Sequence, residues 1–134
     1  MIHTEHLRVN WIDTDASGRI HYTAALRYFE VAEHGLMREL YGEAGNPIRS
    51  FGLPRVHVEA DYAAALTYPD RFRCTARVVA VGRTSVTYGF EAHRSSDDVL
   101  CLTGKIVAVA IGPDGASMPF PADFREVLER ARQA

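Results

Sequence analysis

The spacing of apolar residues divides the chain into an early strand, a long helix and a series of later strands. Leu7, Val9 and Trp11 alternate with polar residues, and this period of two predicts a half-buried strand at the start of the chain. A polar, turn-rich segment follows, from Asp13 to Arg19. The next apolar residues recur at intervals of three and four, which indicates an amphipathic helix.

The predicted helix runs from about Thr23 to Tyr41. It would make roughly five turns and extend about 27 Å at 1.5 Å per residue. Thr23 is the expected N-cap because its hydroxyl can accept a backbone N–H of the first turn, and Gly42 is the expected stop.

Alternation returns after residue 54 and continues through three more strands. Turn residues at Gly82-Arg83 and from Ser95 to Asp98 separate them. The alternating apolar positions are Val56, Val58, Ala60 and Tyr62; then Phe72, Cys74, Ala76 and Val78; then Val86, Tyr88, Phe90 and Ala92.

The end of the chain contributes one more strand and a short helix. Residues from Ile106 to Ile111 are continuously apolar, which is typical of a strand covered on both faces or lying in an interface. After the turn at Asp114-Gly115, a terminal helix is predicted from Ala122 to Arg132.

This order of elements predicts one α+β domain over residues 1–134. An antiparallel sheet of about five strands has one face to bury, and only one of the two predicted helices is long enough to cover that face. We therefore expect the sheet to wrap around that helix. The edges and the other face of such a sheet favour a dimer or a larger oligomer.

Composition narrows the class of protein. The chain has 134 residues, of which 47% are hydrophobic and 24% charged, with a net charge of −2, so it has the composition of a globular domain and no basic surplus for nucleic acid. No run approaches the ~18 apolar residues of a membrane span, and the first residues lack a signal-peptide pattern, so we expect a cytoplasmic protein. Cys74 and Cys101 lie in strand-like runs and are expected to be buried free thiols.

The densest cluster of functional groups precedes the long helix, from Asp13 to Tyr22. One interpretation is structural, because Asp and Ser before a helix often only cap turns. The other is chemical, because a carboxylate beside the unpaired N–H groups of a helix start has the groups needed for acyl hydrolysis. A calcium loop is disfavoured, since its twelfth position requires a carboxylate and is Ala24 here.

Several segments together resemble the 4-hydroxybenzoyl-CoA thioesterase-like family of hotdog-fold acyl-CoA thioesterases, over nearly the whole chain. The loop with its Asp-x-Asp-x-x-Gly pattern is the most specific of them. The segments are Val9-Asn-Trp-Ile-Asp-Thr-Asp-Ala-Ser-Gly-Arg-Ile-His-Tyr22, Leu26-Arg-Tyr-Phe-Glu-Val-Ala-Glu33, Val58-Glu-Ala-Asp-Tyr62, Val81-Gly-Arg-Thr-Ser85, and Pro119 through Leu128.

The resemblance implies a hotdog fold with active sites at the interface of a homodimer, often paired into a homotetramer. It implies that Asp15 is the catalytic carboxylate, acting as nucleophile or as general base toward water. Backbone N–H groups around Tyr22 would polarise the thioester carbonyl, and Gly18 would permit a tight turn close to the acyl group. Arg83 stands where relatives have basic residues near the CoA phosphates. No metal or cofactor is implied, and CoA enters as part of the substrate.

The sequence departs from the family pattern at the start of the helix. Many members read Tyr-x-Asn-Tyr there, whereas this chain has Ala24 and Ala25 after Tyr22-Thr. Arg19 replaces an aliphatic residue, and His21 replaces an aromatic one. We expect these changes to alter the acyl pocket, with His21 as a substrate contact or a second acid–base group, or else as a packing or capping residue.

Three other groups of residues are weaker candidates. His57, Glu59 and Asp61 share one strand face, which favours a polar surface over a metal site. Ser17 and Ser85 lack the His and acid of a hydrolase triad. The remaining group is a basic strand face that is either solvated or a patch for CoA phosphates or an acyl carrier protein: Arg71, Arg73 and Arg77.

Two other functions remain open at this point. One is a hotdog module that binds acyl-CoA or an acyl carrier protein without turnover, which the missing Asn and Tyr side chains keep open. The other is a hotdog dehydratase, which would pair a His with an acidic residue.

Overall fold

The computed structural model describes residues 1–42 and 51–133. The elements in chain order are β1 (His3–Arg8), a 3₁₀ turn (Trp11–Asp13), α1 (Ala24–Tyr41), β2 (Arg55–Tyr62), β3 (Arg71–Val81), β4 (Ser85–Arg94), β5 (Leu100–Val109) and α2 (Ala122–Gln133).

The strands form one antiparallel sheet in the order β1-β3-β4-β5-β2. Two tight connections join β3 to β4 and β4 to β5, so the central three strands are neighbours in sequence as well as in space. β1 and β2 are the two edges of the sheet. The predicted α+β architecture of five strands and one long helix is confirmed.

Helix α1 follows the predicted period closely. Its buried positions include Ala25, Phe29, Ala32 and Leu36, which recur every three or four residues and form one apolar face. The helix ends before Gly42, whose φ of 78° lies in the left-handed region, and the Gly42 N–H donates to the Arg38 carbonyl.

The core lies between α1 and strands β1, β3 and β4. The Phe29 ring stacks on Phe90 with 4.7 Å between centroids. It also occupies the space above Gly104, where an added Cβ would come within 2.3 Å of Phe29 Cε2. The thiols of Cys74 and Cys101 are buried and unpaired with each other, as the sequence predicts.

Helix α2 packs on β3 and on the end of α1. Phe124, Leu128 and Ala131 form its buried face, and the Phe124 ring stacks on Tyr41. None of the helices among the described residues is long and apolar enough to cross a membrane.

No described part of the chain covers the side of the molecule along β2. Alternation places Val56, Val58 and Tyr62 on one face as predicted, yet these side chains are 60%, 42% and 49% exposed because α1 lies over the other half of the sheet. The outward residues Val107 and Val109 of β5 are also only half-buried, so within the described chain that strand is not covered on both faces.

The early strand is shorter than predicted. β1 ends at Arg8, and after the Val9 N–H donates to the Asp70 carbonyl at 2.8 Å the chain turns into the 3₁₀ turn. Trp11, predicted to be half-buried in the strand, is therefore 77% exposed. The prediction was wrong because alternation of residue types continues past the point where the backbone leaves the sheet.

Candidate active site

The segment between the 3₁₀ turn and α1 folds back on itself as a small hairpin. The Asp15 N–H donates to the Arg19 carbonyl at 2.9 Å, and the His21 N–H donates to the Asp13 carbonyl at 2.7 Å. The turn depends on Gly18, whose φ of 83° is strained for other residues. We call residues 13–22 the Asp15 loop.

Two backbone hydrogen bonds fasten the Asp15 loop to the segment before β3. The Ile20 N–H donates to the Leu66 carbonyl at 3.0 Å, and the Tyr68 N–H donates to the Gly18 carbonyl at 3.2 Å. The position of the loop is thus set by a part of the chain about 50 residues away in sequence.

Asp13 holds the inner side of the loop against α1. It is 2% exposed, and it accepts hydrogen bonds from the Asn10 N–H, the Tyr28 hydroxyl and the Arg27 guanidinium at 2.9, 2.9 and 2.6 Å. Burial works against ionisation of Asp13, but these donors and the charge of Arg27 outweigh it and lower the pKa of the carboxyl. Asp13 is therefore a buried, ionised anchor.

Asp15 lies on the exposed outer side of the same loop. Its Oδ1 accepts both the backbone N–H and the hydroxyl of Ser17, at 2.8 and 2.6 Å. Its Oδ2 has no hydrogen-bond partner among the described residues. The two Ser17 hydrogen bonds, with smaller contributions from His21 and Arg19, lower the pKa of Asp15. Asp15 is therefore a carboxylate at neutral pH with one oxygen open to a ligand.

Asp15 lines an open cleft with a volume of about 680 Å³. Two aromatic rings form one side of the cleft, with the Trp11 and Tyr68 centroids 5.6 Å apart in an edge-to-face contact. Carboxylate and apolar surface thus lie side by side, as a site for an acyl compound requires. The lining residues are Trp11, Ile12, Thr14, Asp15, Ala16, Gly18 and Tyr68.

The start of α1 carries an unused hydrogen-bond donor. No described residue accepts a hydrogen bond from the Tyr22 N–H, while the Tyr22 carbonyl accepts the Tyr62 hydroxyl. The expected capping contact of Thr23 is absent, and its hydroxyl instead lies 2.7 Å from His21 Nδ1. His21 Nδ1 also accepts the Thr23 N–H at 3.2 Å, so the imidazole caps the turn into the helix.

The structure brings together four of the five predicted site residues. Asp15, Gly18, His21 and Tyr22 all lie on the Asp15 loop. Arg83 does not: it lies in the turn between β3 and β4, at the end of the sheet away from that loop. The 11 residues of β3 separate the two places by about 35 Å at 3.3 Å per residue.

The weaker candidates on β2 and β3 lie on the outer face of the sheet, whereas Ser17 lies on the Asp15 loop and Ser85 at the start of β4. His57 and Glu59 form an exposed pair at 3.1 Å, and Arg73 pairs with Asp98. Within residues 1–42 and 51–133, no group of His, Cys, Asp or Glu side chains has the arrangement of a metal site. The contact between His57 and Glu59 is one between exposed polar side chains.

Sequence reasoning missed the aromatic wall of the cleft and the anchor of the loop. Ile12 directly after Trp11 breaks the strand alternation, and this was the available signal that the chain turns there. Tyr68 gives no such signal, because backbone hydrogen bonds between its segment and the Asp15 loop bring it to the cleft.

Known proteins share this architecture. A structure described as a predicted thioesterase from Bacillus stearothermophilus matches with a TM-score of 0.85 and 25% identity, covering 98% of this chain and 96% of that one. The 1,4-dihydroxy-2-naphthoyl-CoA thioesterase from Synechocystis matches with a TM-score of 0.85 and 19% identity over 96% of both chains. These likenesses and the five-stranded sheet with its helix define a hotdog fold.

Sequence comparison identifies the family. The model of the thioesterase-like superfamily matches residues 9–128, and the chain belongs to that superfamily. A protein of Aquifex aeolicus (strain VF5) named "Putative esterase" is 27% identical over 124 residues, covering 91% of this chain and 94% of its own length.

Proposed function

We propose that this protein is an acyl-CoA thioesterase that hydrolyses a thioester to a free acid and CoA, with Asp15 as its catalytic carboxylate. The observation that carries the proposal is the geometry of the Asp15 loop. An ionised carboxylate with a free oxygen lines an open cleft, and the same loop leads into an unused N–H at Tyr22. In this proposal the carboxylate is the base or nucleophile, and the N–H is the hydrogen-bond donor to the oxyanion.

Either of two routes uses these groups. As a nucleophile, Asp15 Oδ2 attacks the carbonyl carbon, the thiolate of CoA leaves, and water then cleaves the resulting anhydride. As a general base, Asp15 accepts a proton from the water that attacks the carbonyl, the C–S bond breaks, and Asp15 returns that proton to the departing sulfur so that CoA leaves as the thiol. In both routes the carbonyl oxygen becomes negative, and the Tyr22 N–H would stabilise it.

The function also calls for a second copy of the chain. The cleft beside Asp15 is open, while an apolar side along β2 and α1 has no cover in the described chain. Pairing of two β2 edges in an antiparallel manner would extend the sheet and bury Val56, Val58 and Tyr62. In this pairing the strands of the second copy run in the opposite direction. The turn that contains Arg83 in the second copy therefore lies on the same side as the Asp15 loop of the first copy. Arg83 could then meet the CoA phosphates across the interface.

The activity test is release of free thiol from a panel of short, long and aromatic acyl-CoAs. Asp15→Asn keeps the size of the side chain and removes its charge, so we expect kcat/KM to fall about 10²- to 10⁴-fold. Asp114→Asn is the matched control, because Asp114 is also exposed and also accepts the N–H two residues on, from Ala116. Turnover that survives in Asp15→Asn would exclude Asp15 as the catalyst, and tight binding of acyl-CoA without turnover would favour a binding module.

The second copy is tested separately by sedimentation. Val58→Lys places a charge in the proposed interface, and we expect it to shift the protein to monomers and to reduce thiol release. Val99→Lys, at an exposed valine in the turn before β5, is the control and should leave the oligomer intact. A monomeric wild type with full activity would contradict the need for a second copy.

A further inference from the structure

Ser17 makes a pair of contacts with the proposed catalytic carboxylate. Both of its donors, the backbone N–H and the hydroxyl, go to the same oxygen, Asp15 Oδ1. The Ser17 oxygen in turn lies 3.4 Å from the Arg19 N–H and accepts from it. Because a lone pair of the Ser17 oxygen accepts the Arg19 N–H, the hydrogen of the Ser17 hydroxyl is directed toward Asp15.

The consequence is that the two oxygens of Asp15 are not equivalent. Oδ1 has two donors and Oδ2 has none among the described residues. A carboxylate on an exposed loop would otherwise rotate about its terminal torsion, which is broad for Asp. Two hydrogen bonds to one oxygen suppress that rotation and leave the other oxygen facing ligands.

We infer that Ser17 is a positioning residue that selects Oδ2 as the reacting oxygen of Asp15. The inference rests on the proposed function, because it assigns a role in the same reaction. Ser17 itself does not touch the substrate in this role. The charged or titratable groups around Asp15 are Arg19 and His21 on the same loop and Tyr68 across the cleft, and only the first two add to the effect of Ser17 on its pKa.

The test begins with Ser17→Ala, which removes the hydroxyl and keeps the backbone N–H. We expect the acid limb of the kcat/KM profile to move upward by about half a pH unit to one unit, since one of two donors to the anion is lost. We expect kcat to fall several-fold with KM unchanged. Ser17→Thr keeps a hydroxyl and should restore both values. A wild-type profile in Ser17→Ala would overturn the inference.

The matched control is Thr67→Val. Thr67 also donates its N–H and its hydroxyl to a single carboxylate oxygen, that of Asp70, at 2.9 and 3.2 Å. Asp70 does not line the cleft. If loss of such a hydroxyl acted only by loosening this end of the molecule, Thr67→Val would shift the profile as Ser17→Ala does, and that result would count against a specific role for Ser17.

A second readout does not depend on turnover. Titration of the Asp15 carboxyl carbon by NMR should give a higher pKa in Ser17→Ala than in the wild type, and an unchanged value in Thr67→Val. If the pKa rises but the wild type hydrolyses no thioester, the contact is as inferred and the proposed function is wrong. If the wild type is active and neither the pKa nor the profile moves, the inference about Ser17 is wrong and the proposed function stands.

Discussion

The inner and outer sides of the Asp15 loop carry the same residue type in opposite surroundings. Asp13 is buried with three donors from three different residues, and every donor belongs to the protein's own framework. Asp15, two residues later, is exposed with one oxygen held and one open. A carboxylate whose acceptors are all used stabilises the fold, whereas one with an acceptor to spare is available for chemistry. The motif Asp-Thr-Asp thus combines a buried anchor with the exposed carboxylate that we propose as the catalyst.

The largest effect on stability is expected at the anchor. Asp13→Asn removes the charge that three donors share, and an amide cannot accept all of them, so the free energy of unfolding should fall by about 2–3 kcal/mol. Chemical denaturation at neutral pH measures this. An Asp13→Asn protein as stable as the wild type would remove the distinction between the two sides of the loop.

The same variant gives a pH test. The folded-state pKa of Asp13 lies below its ordinary value of 3.8, so the carboxylate stabilises the fold above that pH and this contribution is lost as the pH falls through the folded value. The difference in stability between wild type and Asp13→Asn should therefore shrink on acidification from pH 6 to pH 3. A difference that grows on acidification would contradict the lowered pKa.

An intermediate effect is expected from Gly18→Ala. No atom lies within 4 Å of the added Cβ, so the cost comes from the positive φ alone and should be about 1–2 kcal/mol. Gly115→Ala is the matched control, with a φ of 81° and equally open surroundings in a remote turn. Both variants should lose similar stability, and only Gly18→Ala should also lose thiol release.

Tyr28→Phe should have a smaller effect. It removes one of the donors to Asp13 and keeps the ring that packs on Phe72 at 4.6 Å. We expect a loss of about 1 kcal/mol in the free energy of unfolding, measured by denaturation, because the buried carboxylate loses one donor and keeps the Asn10 N–H and the Arg27 guanidinium. In an Asp13→Asn background the same substitution should cost less, since the two residues share the contact.

The smallest effect on stability is expected from Asp15→Asn, although its effect on activity is the largest. Among the described residues its side chain is hydrogen-bonded to Ser17, and these contacts lie at the surface, so the melting temperature should stay close to that of the wild type. A large loss of stability in Asp15→Asn would mean that both aspartates are anchors, and the contrast between them would disappear.

Much of the fold could be predicted from the sequence because its signals are local. The three- and four-residue spacing of apolar residues, together with Gly42, predicts a helix whose start lies within one residue of the observed start of α1. Alternation of apolar and polar residues predicts which residues share a face in β2, β3 and β4. Exposure of the β2 face could not be predicted, because alternation tells which residues share a face but not whether a helix reaches it.

Only the part of the candidate site that lies on the Asp15 loop could be predicted from the sequence. Asp15, Gly18 and Tyr22 are close in sequence, so the motif alone groups them. Tyr68 joins them through a backbone hydrogen bond to a distant segment, and Arg83 is separated from them by the length of a strand. The positions of Tyr68 and Arg83 relative to the loop depend on how the strands pair. The types of the individual residues do not predict that pairing.

The contact between Phe29 and Gly104 has a consequence for how this family can diverge. The ring fills the space that a side chain at position 104 would need, so neither position can change freely alone. Relatives with a side chain at the position of Gly104 should therefore carry a smaller residue at that of Phe29, and the two columns should covary in an alignment. In evolutionary terms the two positions are expected to change together, although they are 75 residues apart in the chain.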